Sequence, residues 1–251
     1  MRAYGGSNKP RATLFGNVKK SQLETWLAGL AKREKRPNKK QIEYIQRIID
    51  RVMLEAKEED ADKINSAKAE PLLDFITGEP GTGKTEVLKW IREMFETQLG
   101  WTHGNEFVFL AQQNTMGDMI GGFTIHHRGD IPLNEEDAGR KRAQAAAAQD
   151  INKLFIRCQN LRVLAIDEIS LVSAELLCYL EEQVRRAIRL RRSYKVIKYG
   201  PLKERHRVFG GVNLLCFGDW WQLPPVNATA IFSNPFKAKS AVAQSGLKMF
   251  W

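Results

Sequence analysis

Long apolar runs are missing from this chain. None approaches the roughly 20 residues that a membrane-spanning helix requires, so no membrane partner is expected. The opening stretch MRAYGGSNKP is polar and lacks the apolar segment of a secretory signal. Cysteine is scarce: Cys158, Cys178 and Cys216 are odd in number, far apart and without C-x-x-C spacing, which argues against a disulfide frame or a thiolate metal site. Reduced thiols point to an intracellular protein. Internal repeats are absent as well. What is there is ordinary for a globular protein: 251 residues, 43% hydrophobic and 27% charged, enough for one large core or two small ones.

Charge is the first unusual feature. The net charge is +10, which favours a polyanionic partner. It is concentrated in RRAIRLRRSYKVIKYGPLKERHR, residues 185–207, where ten of the 39 Lys/Arg stand beside one acid, Glu204. Such a block is either a solvated loop or a phosphate-binding surface. Like charges at this density repel one another unless phosphate neutralises them, so Arg189, Arg191 and Arg192 are candidates for a nucleic-acid contact. A smaller basic run, KREKRPNKK at 32–40, reads as a linker.

Along the chain, residues 1–20 read as loosely ordered, and SQLETWLAGL as a short helix capped by Ser21. From Asn38, Ile42, Ile45, Ile48, Ile49 and Val52 repeat at helical spacing. That helix is expected to end or become a loop in the acidic KEEDADK. Strands and helices then alternate: LLDFIT, TEVLKWIREMF, EFVFLA, AGRKRAQAAAAQDINKLF, RVLAID, SAELLCYLEEQVRRAI and VNLLCFG. This order predicts an α/β fold, a mostly parallel sheet with helices on both faces. Ligands of such sheets bind beyond the carboxyl ends of the strands.

Directly after the first strand stands GEPGTGKT, residues 78–85, which fits G-x-x-x-x-G-K-[ST] at every fixed position. Its glycines let the backbone curl so that several N–H groups face one phosphate, and the next helix adds its positive end. Gly81, Thr82, Gly83, Lys84 and Thr85 are the expected nucleotide contacts. Lys84 reaches the β- and γ-phosphates of ATP, and Thr85 supplies a hydroxyl to Mg²⁺. The strand VLAID ends in two carboxylates. Asp167 is the candidate to hold Mg²⁺, and Glu168 to orient or deprotonate the attacking water.

The last strand runs into FGDWWQLPPV, residues 217–226. Two prolines forbid a continuing helix or central strand, so the loop is rigid. Gln222 can then hydrogen-bond the γ-phosphate or the attacking water and report on that phosphate. Trp220 and Trp221 either stack on bases or pack beneath the sheet end.

Taken in order, GEPGTGKT, GGFTIHH, VLAIDEISLVS and FGGVNLLCFGDWWQLPPV resemble the motifs of the PIF family of superfamily 1 DNA helicases, close to its Helitron-like members. The resemblance runs from about Asn38 to Trp251. It implies a RecA-like P-loop motor domain over 38–251 behind an extension at 1–37, with the family's second RecA-like domain absent. It also implies ATP-driven 5′ to 3′ movement on single-stranded DNA, unwinding of forked DNA, and ATP and Mg²⁺ as cofactors. By the same resemblance Gln41 contacts adenine, Asp219 and Gln222 couple ATP to DNA, and Thr124 and His126 touch the single strand. His126 can equally cap or fill a core. Where the family reads A-x-T-G-x-A-A, this chain has AQQNTMG at 111–117, so a strand contact there differs. The competing reading is a nucleotide-gated DNA-binding module, or an inactive transposon-derived fragment.

Overall fold

The computed structural model describes residues 13–16, 18–60, 70–129, 148–188, 196–198, 204–238 and 240–249. In chain order its elements are α1 (Lys20–Leu30), α2 (Lys39–Asp60), β1 (Leu73–Thr77), α3 (Lys84–Gln98), β2 (Phe107–Ala111) and α4 (Asn114–Met119). Then come β3 (Phe123–Thr124), α5 (Ile125–Gly129), α6 (Ala148–Cys158), β4 (Val163–Asp167) and α7 (Ala174–Ala187). The last are β5 (Val196–Lys198), β6 (Glu204–His206), β7 (Asn213–Gly218) and α8 (Ala241–Leu247).

Five strands form one sheet in the order β1-β7-β4-β2-β3, with every pairing parallel. The sequence dictates this burial. FVFLA, VLAID and NLLCFG are buried at every position, which only a sheet covered on both faces allows. Side chains alternate between two cores. Phe107, Phe109, Val163, Ala165, Leu215 and Phe217 pack with α1, α2 and α3, whereas Val108, Leu110, Leu164, Ile166, Leu214 and Cys216 face α6 and α7.

Several expectations need correction. Ser21 does not cap α1: Lys19 holds the cap position and Ser21 lies inside the helix, its carbonyl accepting the Thr25 hydroxyl at 2.8 Å. The helix starts earlier because Leu23, Leu27 and Leu30 all bury against α2 and α3. The start of the chain is not loose where it is described. Leu14 and Phe15 are buried, and the Leu14 carbonyl accepts the Trp101 indole N–H at 2.7 Å. The helix α2 does end within the acidic stretch, at Asp60, and Glu59 there accepts the backbone N–H of Leu14 at 2.8 Å. The 32–40 run is, as expected, the connection between α1 and α2, and it is held to α3 by Arg33–Glu93 at 2.6 Å and Lys35–Glu86 at 3.0 Å. The basic block contains an antiparallel hairpin, β5 with β6, that its sequence did not suggest.

A charged cluster lies at the amino ends of the strands, opposite the phosphate loop. Glu55 is buried and accepts two hydrogen bonds from Arg162, at 2.8 and 2.9 Å, one from Arg51 at 2.8 Å and one from Asn213 at 2.8 Å. Burial alone would raise the Glu55 pKa. The charge and hydrogen bonds of Arg162, then Arg51 and Asn213, override it and hold the carboxyl down at about 2.

Candidate functional site

The parallel register brings three sequence-distant motifs to one edge. Thr77 pairs with Gly218, and Ala111 pairs with both Thr124 and Asp167, so the ends of β1, β7, β4, β2 and β3 stand in a row. The phosphate loop leaves β1 and enters α3 through Gly83, whose φ of 87° is left-handed. A side chain there would be strained, and its Cβ would fall 2.8 Å from the Gln41 amide nitrogen. Gly81, with φ of 80°, makes the preceding bend. The Lys84 ammonium donates to the carbonyls of Gly78 at 2.5 Å and Glu79 at 3.1 Å, which pins it across the mouth of the loop. Thr82 donates its hydroxyl to the Glu79 carbonyl at 2.8 Å, and Thr85 sits half-buried one residue after Lys84.

Gln41 is placed by a capping box. The Asn38 side chain accepts the Gln41 N–H at 3.0 Å, and the Gln41 side-chain oxygen accepts the Asn38 N–H at 2.8 Å. Its amide nitrogen then donates to the Thr82 carbonyl at 3.2 Å. Thus the start of α2 is fastened to the phosphate loop, a contact between residues 41 apart in sequence.

At the end of β4, Asp167 is 6% exposed and its Oδ1 accepts the Glu168 N–H at 3.1 Å. Burial, then the neighbouring Glu168 charge, push its pKa up to about 6, against the opposing pull of Lys84. A desolvated carboxylate is a hard oxygen donor, the ligand type that Mg²⁺ takes. Among the described residues no cluster of three or more His, Cys, Asp or Glu could hold a metal ion by itself. Glu168 is held at φ 49°, a left-handed conformation that costs a non-glycine residue on the order of 1–3 kcal/mol. Its Oε2 is buried and without a hydrogen-bond partner among the described residues.

The glutamine loop closes against both elements. Gly218 accepts the Gly78 N–H at 3.3 Å, and the Ser170 hydroxyl donates to the Gln222 side-chain oxygen at 3.3 Å. Asp219 is buried; its side chain accepts the Trp221 N–H at 3.0 Å and its carbonyl the Gln222 N–H at 3.3 Å. The two tryptophans part company. Trp220 stacks on Phe75, centroids 4.2 Å apart, while Trp221 is 93% exposed.

Thr124 accepts the His127 N–H at 3.2 Å and so caps α5, and His126 is half-buried on the same short helix. Thr124 lies two strands from Asp167, roughly 10 Å at normal strand spacing. Arg189, Arg191 and Arg192 lie outside the described residues. Within the same basic block, Arg185 pairs with Glu181 at 2.9 Å and the buried Arg207 with Glu70 at 3.2 Å, so these two guanidiniums are engaged in the fold. Ser170 was missed by sequence reasoning. It stands two residues beyond the acidic pair, but nothing local marks its partner 52 residues away.

The family model described as PIF1-like helicase matches residues 39–248. This chain belongs to the PIF1-like helicase family. Curated relatives include the ATP-dependent DNA helicase PIF1 of Saccharomyces cerevisiae, 32% identical over 176 residues, 70% of this chain and 18% of that protein. The ATP-dependent DNA helicase PIF1 of Homo sapiens is 33% identical over 152 residues, 61% of this chain and 20% of that protein. A crystal structure of the Pif1 helicase from Candida albicans aligns at 28% identity and a TM-score of 0.46, covering 71% of this chain and 34% of that one. The chain thus spans about a fifth of the length of the curated relatives it matches.

Proposed function

We propose that this chain is the nucleotide-binding motor domain of an ATP-dependent 5′ to 3′ DNA helicase. The observation that carries this reading is the meeting of three elements at one sheet edge: the phosphate loop, bonded through Gly78 to the end of β7, the acidic pair, and the glutamine turn, hydrogen-bonded to Ser170 just beyond that pair. The relatives are named as ATP-dependent DNA helicases, and family membership supports the same activity here.

In this reading the backbone N–H groups of Gly81, Thr82 and Gly83 cradle the nucleotide's phosphates, Lys84 turns from its carbonyls to the β- and γ-oxygens, and Gln41 reads the adenine. Mg²⁺, held by Thr85 and Asp167, would neutralise charge on the transferring phosphoryl group. Glu168 takes a proton from the attacking water with the oxygen that has no hydrogen-bond partner among the described residues. Single-stranded and forked DNA cross the same edge, near Thr124 and His126, with Arg189, Arg191 and Arg192 on phosphates. Residues 1–37 are an extension and 38–251 the first RecA-like domain. A second such domain in a longer protein supplies the arginines that speed phosphoryl transfer. The protein works where DNA is, in the nucleus or mitochondrion of a eukaryotic cell.

The test is nucleotide binding and turnover. Lys84→Ala should abolish binding of a fluorescent ATP analogue with Mg²⁺. Glu168→Gln should leave binding intact and stop cleavage. Unchanged nucleotide affinity in Lys84→Ala would overturn the proposal.

A further inference from the structure

We infer that Ser170 is a positioning residue for Gln222, setting the orientation in which that amide senses the γ-phosphate. The inference rests on the nucleotide-site reading above and goes beyond it. Ser170 is 1% exposed and occupies the middle of a single 3₁₀ turn, Ile169–Leu171, that directly follows Glu168. That turn is wedged against the end of β7. A Cβ placed on Gly218 would lie 2.9 Å from the Ile169 side chain, 3.3 Å from its backbone nitrogen and 3.4 Å from that of Ser170. The turn and the strand end therefore shift together or not at all.

Within that wedge the Ser170 hydroxyl donates to the Gln222 Oε1 at 3.3 Å. The backbone of Gln222 is fixed separately, by the Asp219 turn. Among the described residues Gln222 makes no other side-chain hydrogen bond. A primary amide has one acceptor end and one donor end. With the oxygen committed to Ser170, the two N–H bonds of Nε2 are what the amide offers. Those are donors, suited to an anionic oxygen and not to a cation. Without the hydroxyl the amide is free to rotate and present its oxygen, which a phosphate repels. The geometry also joins the acidic pair to the proline-bearing loop: a pull on Nε2 is felt at Ser170, two residues from Glu168, and at Leu223 and Val226, both largely exposed beyond it.

The experiment compares amide hydrogen exchange of residues 219–226 in the 251-residue protein with ATPγS–Mg²⁺ and with ADP–Mg²⁺. The unmutated protein should show slower exchange with ATPγS. Ser170→Ala should still bind both nucleotides but lose that difference, as should Gln222→Ala, and the double variant should show no further change. Should Ser170→Ala fold poorly, Ser170→Cys keeps the size, weakens the donor, and is expected to give the same loss. A difference that persists in a folded Ser170 variant, or that is absent from the unmutated protein while both nucleotides bind, overturns the inference. Failure of the unmutated protein to bind either nucleotide would instead sink the nucleotide-site reading beneath it.

Discussion

The backbone N–H of Gly78 donates to the carbonyl of Gly218 at 3.3 Å, joining the first residue of the phosphate loop to the last residue of β7. Through this contact the glycine-rich loop of residues 78–85 and the loop that carries Gln222 share one rigid boundary. Gly218 has no room for a side chain there, because Ile169 and Ser170 stand against it. Gly218→Ala should therefore cost about 1–3 kcal/mol of stability through forced backbone shifts. It should weaken ATP binding as well. Urea unfolding and a nucleotide titration check the two effects; a variant as stable as the parent would show that the wedge is slack.

The buried cluster at the opposite end of the sheet predicts a pH dependence. Glu55 titrates at about 2 in the fold against 4.5 for an ordinary glutamate, so the unfolded chain takes up the proton first. Its contribution is complete above pH 4.5 and is lost as pH falls toward 2. Glu55→Gln removes that dependence and leaves Arg162 and Arg51 buried beside a neutral group. A loss of about 3–5 kcal/mol at pH 7 is expected, shrinking as the pH is lowered. Unfolding curves at several pH values read both the size and the sign.

The paired tryptophans should separate stability from DNA binding. Trp220→Ala removes a stack on Phe75 and an edge contact with Phe232, at a cost on the order of 2 kcal/mol. Trp221 is 93% exposed, so Trp221→Ala should change stability by no more than about 0.5 kcal/mol. If its ring stacks on a base, single-stranded DNA affinity should fall by about 1–3 kcal/mol. Equal DNA affinity would assign Trp221 no stacking role.

The basic block should act through phosphate contacts that ignore sequence. Replacing Arg189, Arg191 and Arg192 together by Ala should flatten the plot of log affinity against log salt by about 2, at roughly 0.7 per contact on single strands. An unchanged slope would mark the block as a solvated surface.

The 251-residue chain by itself should bind ATP–Mg²⁺ and single-stranded DNA weakly and hydrolyse ATP slowly. An arginine of the kind proposed above to come from a second RecA-like domain is worth roughly 10³–10⁵ in rate, so without that domain slow turnover and no duplex unwinding are expected. Strand displacement by the purified chain with no added partner would show that the site is completed within it or by a second copy.

The sequence by itself determined the α/β alternation, because strands buried on both faces must read as unbroken apolar runs and amphipathic helices as 3.6-residue stripes. It also determined the phosphate loop and the acidic pair, since each is a local pattern whose residues act within a few positions of one another. Gln222 was legible as a polar group on a proline-stiffened loop, and its partner was not. The Ser170 contact and the Gly78–Gly218 bond depend on strand order, and β7 lies between β1 and β4 for reasons spread over the whole core. The same holds for Glu55 and Arg162, 107 residues apart, which look like surface charges until the fold desolvates them together. Local chemistry is written in neighbouring residues, but a long-range hydrogen bond exists only once packing has fixed which strand ends stand side by side.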